Sequence, residues 1–82
     1  MPWFLYIAHC SDNTLYTGIT LDLKKRLITH NSGKGASYTR GRLPIKFVYT
    51  EKLKNRSKAT KKEIAIKKLS RKEKEKLISK NI

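Results

Sequence analysis

The chain of 82 residues has one cysteine, two prolines and only six acidic side chains. Its lone thiol, Cys10, excludes an intrachain disulfide, and a cysteine-based metal site would need several thiols. No apolar run approaches the roughly 20 residues that a membrane-spanning helix requires. The opening Met-Pro-Trp-Phe-Leu-Tyr-Ile-Ala lacks a basic segment, and its apolar run is too short for a secretory signal. The expected location is therefore the cytoplasm, with no membrane partner. There is no Pro- or Gly/Ser-rich linker and no internal repeat. A chain this short buries on the order of 60% of the surface that its unfolded form exposes, enough for one core but not two. A single domain over residues 1–82 is expected.

Positive charge is abundant. Twenty Lys and Arg give a net charge of +14, a field that attracts polyanions. The charge is uneven, net +4 over residues 1–51 and net +10 over residues 52–82. The C-terminal part reads as a basic helical flank in contact with a polyanion.

The local patterns read as β-β-α-β-α-α. Trp3 to Cys10 is aromatic and β-branched in character, a strand. Ser11-Asp12-Asn13 is turn chemistry, and Leu15 to Thr20 is the returning strand. A three-residue turn sets Tyr6 opposite Gly18 and Ala8 opposite Tyr16. Phe4, Tyr6, Ala8, Tyr16, Gly18 and Thr20 then share one face. The other, plainly apolar, carries Trp3, Leu5, Ile7, Leu15, Thr17 and Ile19 and should pack on helices. Thr20 or Asp22 caps a helix over residues 22–31, which ends at Asn31-Ser32-Gly33. A Gly-rich loop over 32–44 leads to a strand over 45–50. A helix starting at Asn55 or Ser57 runs to Leu69. Ser70-Arg71-Lys72-Glu73 matches a capping box, opening a helix from about Arg71 to Ser79. The expected fold class is α+β, a three-stranded antiparallel sheet flanked by helices.

Several residues could carry chemistry. Tyr6 and Tyr16 lie on the less apolar sheet face, where Gly18 leaves room for a substrate; tyrosine is also simply a good strand residue. Arg26 and His30 are four apart on one helix face. An Arg fork suits phosphate oxygens, and a nearby His can donate to phosphate or shuttle a proton; a solvated helix face is the plainer account. The acids sort themselves: Asp12 in a turn, Asp22 at a helix start, Glu51 at a strand end, Glu73 in the capping box, Glu75 against lysines. Glu63 borders the buried stripe of its helix with Ala59 and Ile66. An inward carboxylate needs a partner, either a cation such as Mg²⁺, a salt bridge to Lys67, or a capping role with Thr60. In the loop, Lys34, Arg40 and Arg42 surround Tyr38, suiting a phosphate backbone and a stacked base. This is no Walker loop, because the required glycine spacing is missing. His9 and Cys10 point to opposite strand faces and form no dyad; Cys10 is assigned to packing.

Taken in order, Phe4-Leu5-Tyr6, Tyr16-Thr17-Gly18, Arg26 and His30 on one helix and Glu63 on a later helix resemble the GIY-YIG nuclease domain over roughly residues 3–80. Leu15 to Thr20 and Ser32-Gly33-Lys34-Gly35-Ala36 look most like its small standalone bacterial members, the UPF0213 or YhbQ-like group. The motifs are degenerate: Phe4-Leu5 replaces the first Gly-Ile and Thr17 the second Ile. The resemblance implies that Glu63 holds the metal and Arg26 stabilises the transition-state phosphate. It makes Tyr6 and Tyr16 the motif tyrosines, His30 a supporting group and Tyr38 a further loop tyrosine. A later Asn used by some members has no clear counterpart.

The implied activity is a divalent-metal-dependent endonuclease using one Mg²⁺ or Mn²⁺ ion. Its substrate would be nucleic acid, DNA favoured over RNA, branched or damaged structures included. The protein is expected as a monomer or weak oligomer, with any protein partner unnamed. The rival is a catalytically silent nucleic-acid-binding module of the same fold, and a weaker third is a small RNA- or ribosome-associated basic protein.

Overall fold

A computed structural model describes residues 1–80; the last two residues of the expected 1–82 domain lie outside the described part. Trp3–His9 (β1) and Leu15–Thr20 (β2) form the hairpin, with Tyr6 opposite Gly18 and Ala8 opposite Tyr16, the register expected from the turn. The Cys10 amide donates to the Thr14 carbonyl at 2.9 Å, and Asn13 takes the left-handed conformation at φ 71° that reverses the chain. Lys46–Leu53 (β3) pairs with the other edge of β1, so the sheet order is β2-β1-β3, all antiparallel. β3 runs three residues past the expected end, because each added residue still finds a partner at the head of β1.

Leu23–Thr29 (α1) is capped by Asp22, whose carboxylate accepts from the Lys25 amide at 3.0 Å. It then widens into a π-helical turn, His30–Lys34, ended by Gly33 at φ 82°. The expected loop holds a further short helix, Ser37–Arg40 (α2). Arg56–Lys67 (α3) is capped by Asn55, and Arg71–Lys80 (α4) follows. Ser70 and Glu73 exchange both bonds of the capping box, at 3.0 and 3.2 Å.

Helices cover both faces of the sheet, not only the apolar one. Leu5 and Ile7 pack against Ile66 of α3 and against Leu77 and Ile78 of α4. Tyr6, Ala8, Cys10 and Ile45 pack on the opposite face beneath Leu23 and Leu27 of α1. Each such aliphatic side chain contributes on the order of 1.5–3 kcal/mol when fully buried. The second cover corrects the expectation that the Tyr6 face lies open beside Gly18: Tyr6 is 1% exposed. α1 carries Leu23 and Leu27 one turn apart, and that short stripe must be buried somewhere.

A β-bulge interrupts β3. Ile7 faces Tyr49 and Ala8 faces Phe47, leaving Val48 as the extra residue. Val48 and Tyr49 therefore both pack on the Leu5 face, while Phe47 turns to the Tyr6 face.

Candidate active site

Tyr6 is the hub. It projects from the central strand at the point where β2 presents Gly18, and α1 lays Arg26 and His30 across it. Tyr6 Oη lies 2.8 Å from His30 Nε2, and Arg26 Nε donates to the same hydroxyl at 3.4 Å. The phenol ring stacks on Phe47, with centroids 4.3 Å apart. His30 stands edge-on to both Tyr6 and Tyr16, at 5.8 Å from each centroid. Tyr16 in turn stacks on Tyr38 at 5.6 Å, and the Arg42 guanidinium caps Tyr38 at 4.1 Å from its centroid.

One assignment of the protons satisfies every one of these contacts. Thr39 Oγ1 donates to the Ala36 carbonyl at 3.0 Å, which uses its one proton. Its 2.8 Å contact with His30 Nδ1 is therefore an acceptor's, so Nδ1 carries the imidazole proton. Nε2 is then bare and accepts from the Tyr6 hydroxyl, whose oxygen accepts from Arg26. Arg26, Tyr6, His30 and Thr39 form one directed chain ending on a backbone carbonyl. Burial, and next the Arg26 charge, hold the His30 pKa below its ordinary value. Burial holds the Tyr6 phenol above the usual value, although Arg26 pulls the other way. At neutral pH both groups are uncharged, a phenol donating to a neutral imidazole.

Two glycines make room for this chain. A Cβ at Gly18 would stand 2.5 Å from Tyr6 Oη and 2.6 Å from Cζ, and one at Gly35 would collide with His30 Nδ1 and its Cα. We expect Gly18→Ala to cost about 1–3 kcal/mol in overpacking, because the ring is wedged against Phe47 and His30. Gly41→Ala, with nothing within 4 Å, should stay within about 0.5 kcal/mol. Urea unfolding of the pair measures this; equal midpoints would refute it.

Glu63 sits apart from that chain. It lies on α3, its side chain 19% exposed, with Lys67 at 3.3 Å across one helical turn. Its charge is near enough to push the Tyr6 pKa upward. Because α3 starts at Asn55, Thr60 is interior and the capping alternative falls. The other five acids have structural partners. Asp12 holds Thr14 and Arg42, and Asp22 caps α1. Glu51 accepts from the Tyr49 hydroxyl at 2.7 Å; burial first, then this carboxylate, push the Tyr49 pKa up to about 12. Glu73 completes its capping box, and Glu75 meets Arg71. No group of three or more His, Cys, Asp or Glu side chains among the described residues is placed to share a metal ion. One hard carboxylate suits a cation such as Mg²⁺, which keeps waters and takes substrate phosphate.

Of the sequence candidates, Tyr6, Tyr16, Gly18, Arg26, His30, Tyr38 and Arg42 are linked by direct contacts. Arg42 is already engaged: Nε reaches Asp12 at 2.9 Å and Nη1 reaches the Tyr38 carbonyl at 2.6 Å. Lys34 and Arg40 are exposed, and no side-chain hydrogen bond or ion pair among the described residues ties either to the cluster. Thr39 and Gly35 were not among the candidates. Gly35 had a signal in the glycine density of its loop; Thr39 had none.

Comparison with known proteins identifies the family. A family described as the GIY-YIG catalytic domain matches residues 2–76. A UPF0213 protein of Streptococcus agalactiae is 49% identical over 71 residues, covering 87% of this chain and 81% of its own. A UPF0213 protein of Syntrophus aciditrophicus is 52% identical over 79 residues, covering 95% and 91%. The solution NMR structure of a UPF0213 protein from Bacillus halodurans superposes with a TM-score of 0.62 at 44% identity, covering 96% of this chain and 84% of that one. A second NMR structure, of a protein from E. faecalis, gives 0.66 at 43% identity, covering 98% and 85%.

Proposed function

Because this chain belongs to the GIY-YIG catalytic-domain family, we propose that it is a divalent-metal-dependent endonuclease hydrolysing phosphodiester bonds in DNA. The observation that supports this reading is the directed chain from Arg26 through Tyr6 to His30. We read residues 1–82 as one catalytic domain working in the cytoplasm.

Tyr6 alone is a poor base, since a phenol with a raised pKa holds its proton at pH 7. The neutral His30 removes that obstacle. As the attacking water gives a proton to Tyr6 Oη, the phenol passes its own to His30 Nε2, and Thr39 steadies the resulting imidazolium through Nδ1. Arg26 lies beside the same oxygen and offsets charge growing on the phosphoryl oxygens. Tyr16, half-buried and stacked on Tyr38, positions the water or the adjoining nucleotide. Lys34 and Arg40, both exposed, hold the strand, while Arg42 fixes the Tyr38 ring. Glu63 would hold one Mg²⁺ or Mn²⁺ with waters, and that ion would supply Lewis acidity at the leaving oxygen.

The test is cleavage of single-stranded, duplex, flapped and four-way-junction DNA, with Mg²⁺ and with chelator. We expect metal-dependent cutting that Arg26→Ala slows about 10²–10³-fold, the loss typical of a preorganised charge donor. Cutting that survives both chelation and Arg26→Ala refutes the reading. One observation favours the rival binding module: Tyr6 is 1% exposed, so its hydroxyl does not meet bulk water in this structure. Steeply salt-dependent binding without cleavage would establish that module.

A further inference from the structure

The Tyr6 cluster is not the end of the charged surface. An open groove of about 470 Å³ lies between the end of β2 and α1. Trp3, Ile19 and Leu21 supply apolar walls, Lys25 and Arg26 supply cations, and Asp22, whose carboxylate is engaged in capping α1, completes the lining. Trp3 is the chain's only tryptophan and is half-buried at the head of β1. Arg56, at the first turn of α3, places its guanidinium 5.5 Å from the Trp3 ring centroid, near the outer limit of about 6 Å for a cation–π contact. Arg56 and Glu63 are seven apart on α3, two turns along one face and roughly 10 Å on the axis.

We infer that this groove is a nucleobase subsite, in which Trp3 stacks the unpaired base next to the phosphate held by Arg26. The inference rests on the proposed function only in taking Arg26 as the phosphate ligand. Apolar walls beside two cations match a ligand with a flat π-face and an anionic backbone. Free phosphate would leave the walls unused, and tryptophan is the strongest aromatic platform for a base. The chain's charge of +14 selects the polyanion among flat ligands. Arg26 belongs both to the groove and to the Tyr6 chain, so a strand seated on Arg26 leads into the groove that Trp3 lines. A base inside a duplex is stacked on its neighbours and offers no free face. The subsite therefore selects single strands, flaps and ends over blunt duplex, which gives the proposed nuclease its substrate class.

Trp3 reports on its own occupancy, since no other tryptophan contributes emission. The experiment titrates the full chain with a short oligodeoxythymidylate and with a blunt duplex, reading Trp3 fluorescence and probe anisotropy together. We expect the single strand to quench Trp3 with the same midpoint as the anisotropy change. Trp3→Ala should weaken single-strand binding roughly 5- to 150-fold, the usual value of one stacked base, and leave duplex binding within about two-fold. Trp3→Tyr should retain most of the affinity, and with the wild-type quench it decides the matter if Trp3→Ala does not fold. Single-strand binding with unchanged Trp3 emission, or equal losses for both probes in Trp3→Ala, overturns the subsite. Quenching without cleavage of any DNA supports the subsite and removes the nuclease reading, so the two fail separately.

Discussion

Replacing Tyr6 by phenylalanine should lower cleavage by about 10²–10⁴-fold, the range for loss of a positioned proton-transfer group, while the protein stays folded. The ring remains, so its stacking on Phe47 and its place under α1 are kept. What disappears is one hydroxyl, leaving the buried His30 Nε2 without its donor and Arg26 without its acceptor. An unsatisfied buried acceptor costs about 1–3 kcal/mol, a loss that urea unfolding detects but a stable fold survives. The pH profile separates this role from a structural one. Wild-type activity needs neutral His30, whose pKa lies below 6.5. The rate should therefore hold as pH falls past 6.5 and decline only beneath that value, as Nε2 takes a proton from solvent. Tyr6→Phe should lose this acid limb, because His30 no longer receives a proton in the reaction. A variant as fast as wild type, or one keeping the limb unchanged, would show that the phenol is merely core.

Glu63→Gln is expected to take metal-dependent cleavage to background with almost no effect on stability. Among the described residues its ion-pair partner is Lys67, whose side chain is 52% exposed, and such a surface pair is worth about 0–1 kcal/mol. The amide preserves shape and an oxygen but removes the charge that draws a hard cation into a field dominated by lysine and arginine. The same substitution at Glu75, which pairs with Arg71 across an equivalent helical turn, should leave cleavage unchanged. Parallel cleavage and unfolding measurements check both. A Glu63→Gln enzyme retaining wild-type turnover would remove Glu63 from the site.

Much of this architecture could be read from local pattern. The hairpin register followed from strand parity and a short turn, and it set Tyr6 against Gly18 before any coordinates. Asp22, Asn55 and the Ser70–Glu73 box announce their helices because capping is a contact within three residues. The order of Tyr6, Tyr16, Arg26, His30 and Glu63 carried the family likeness. What escaped is non-local. Whether Tyr6 faces solvent depends on where α1 lies on the sheet, and no spacing within residues 23–34 states that. Thr39 reaches His30 only because a loop folds back. Spacing alone left Glu63 open among a cation, Lys67 and a cap with Thr60, and the Lys67 pair does not decide for or against a cation, since an ion pair at this spacing forms whether or not a metal also binds.

The extra residue in β3 has a consequence for how this segment tolerates change. Ile45 and Phe47 face Tyr6 only because Val48 is spent on the bulge. Side-chain replacements at Val48 alter one apolar contact on the opposite face. Removing Val48 would close the bulge and leave Phe47 opposite Ala8, still on the Tyr6 face. A further residue between Phe47 and Tyr49 that the bulge does not absorb would instead turn Phe47 away from the Tyr6 ring and bring Lys46 inward. The segment should therefore tolerate the loss of one residue far better than the gain of one.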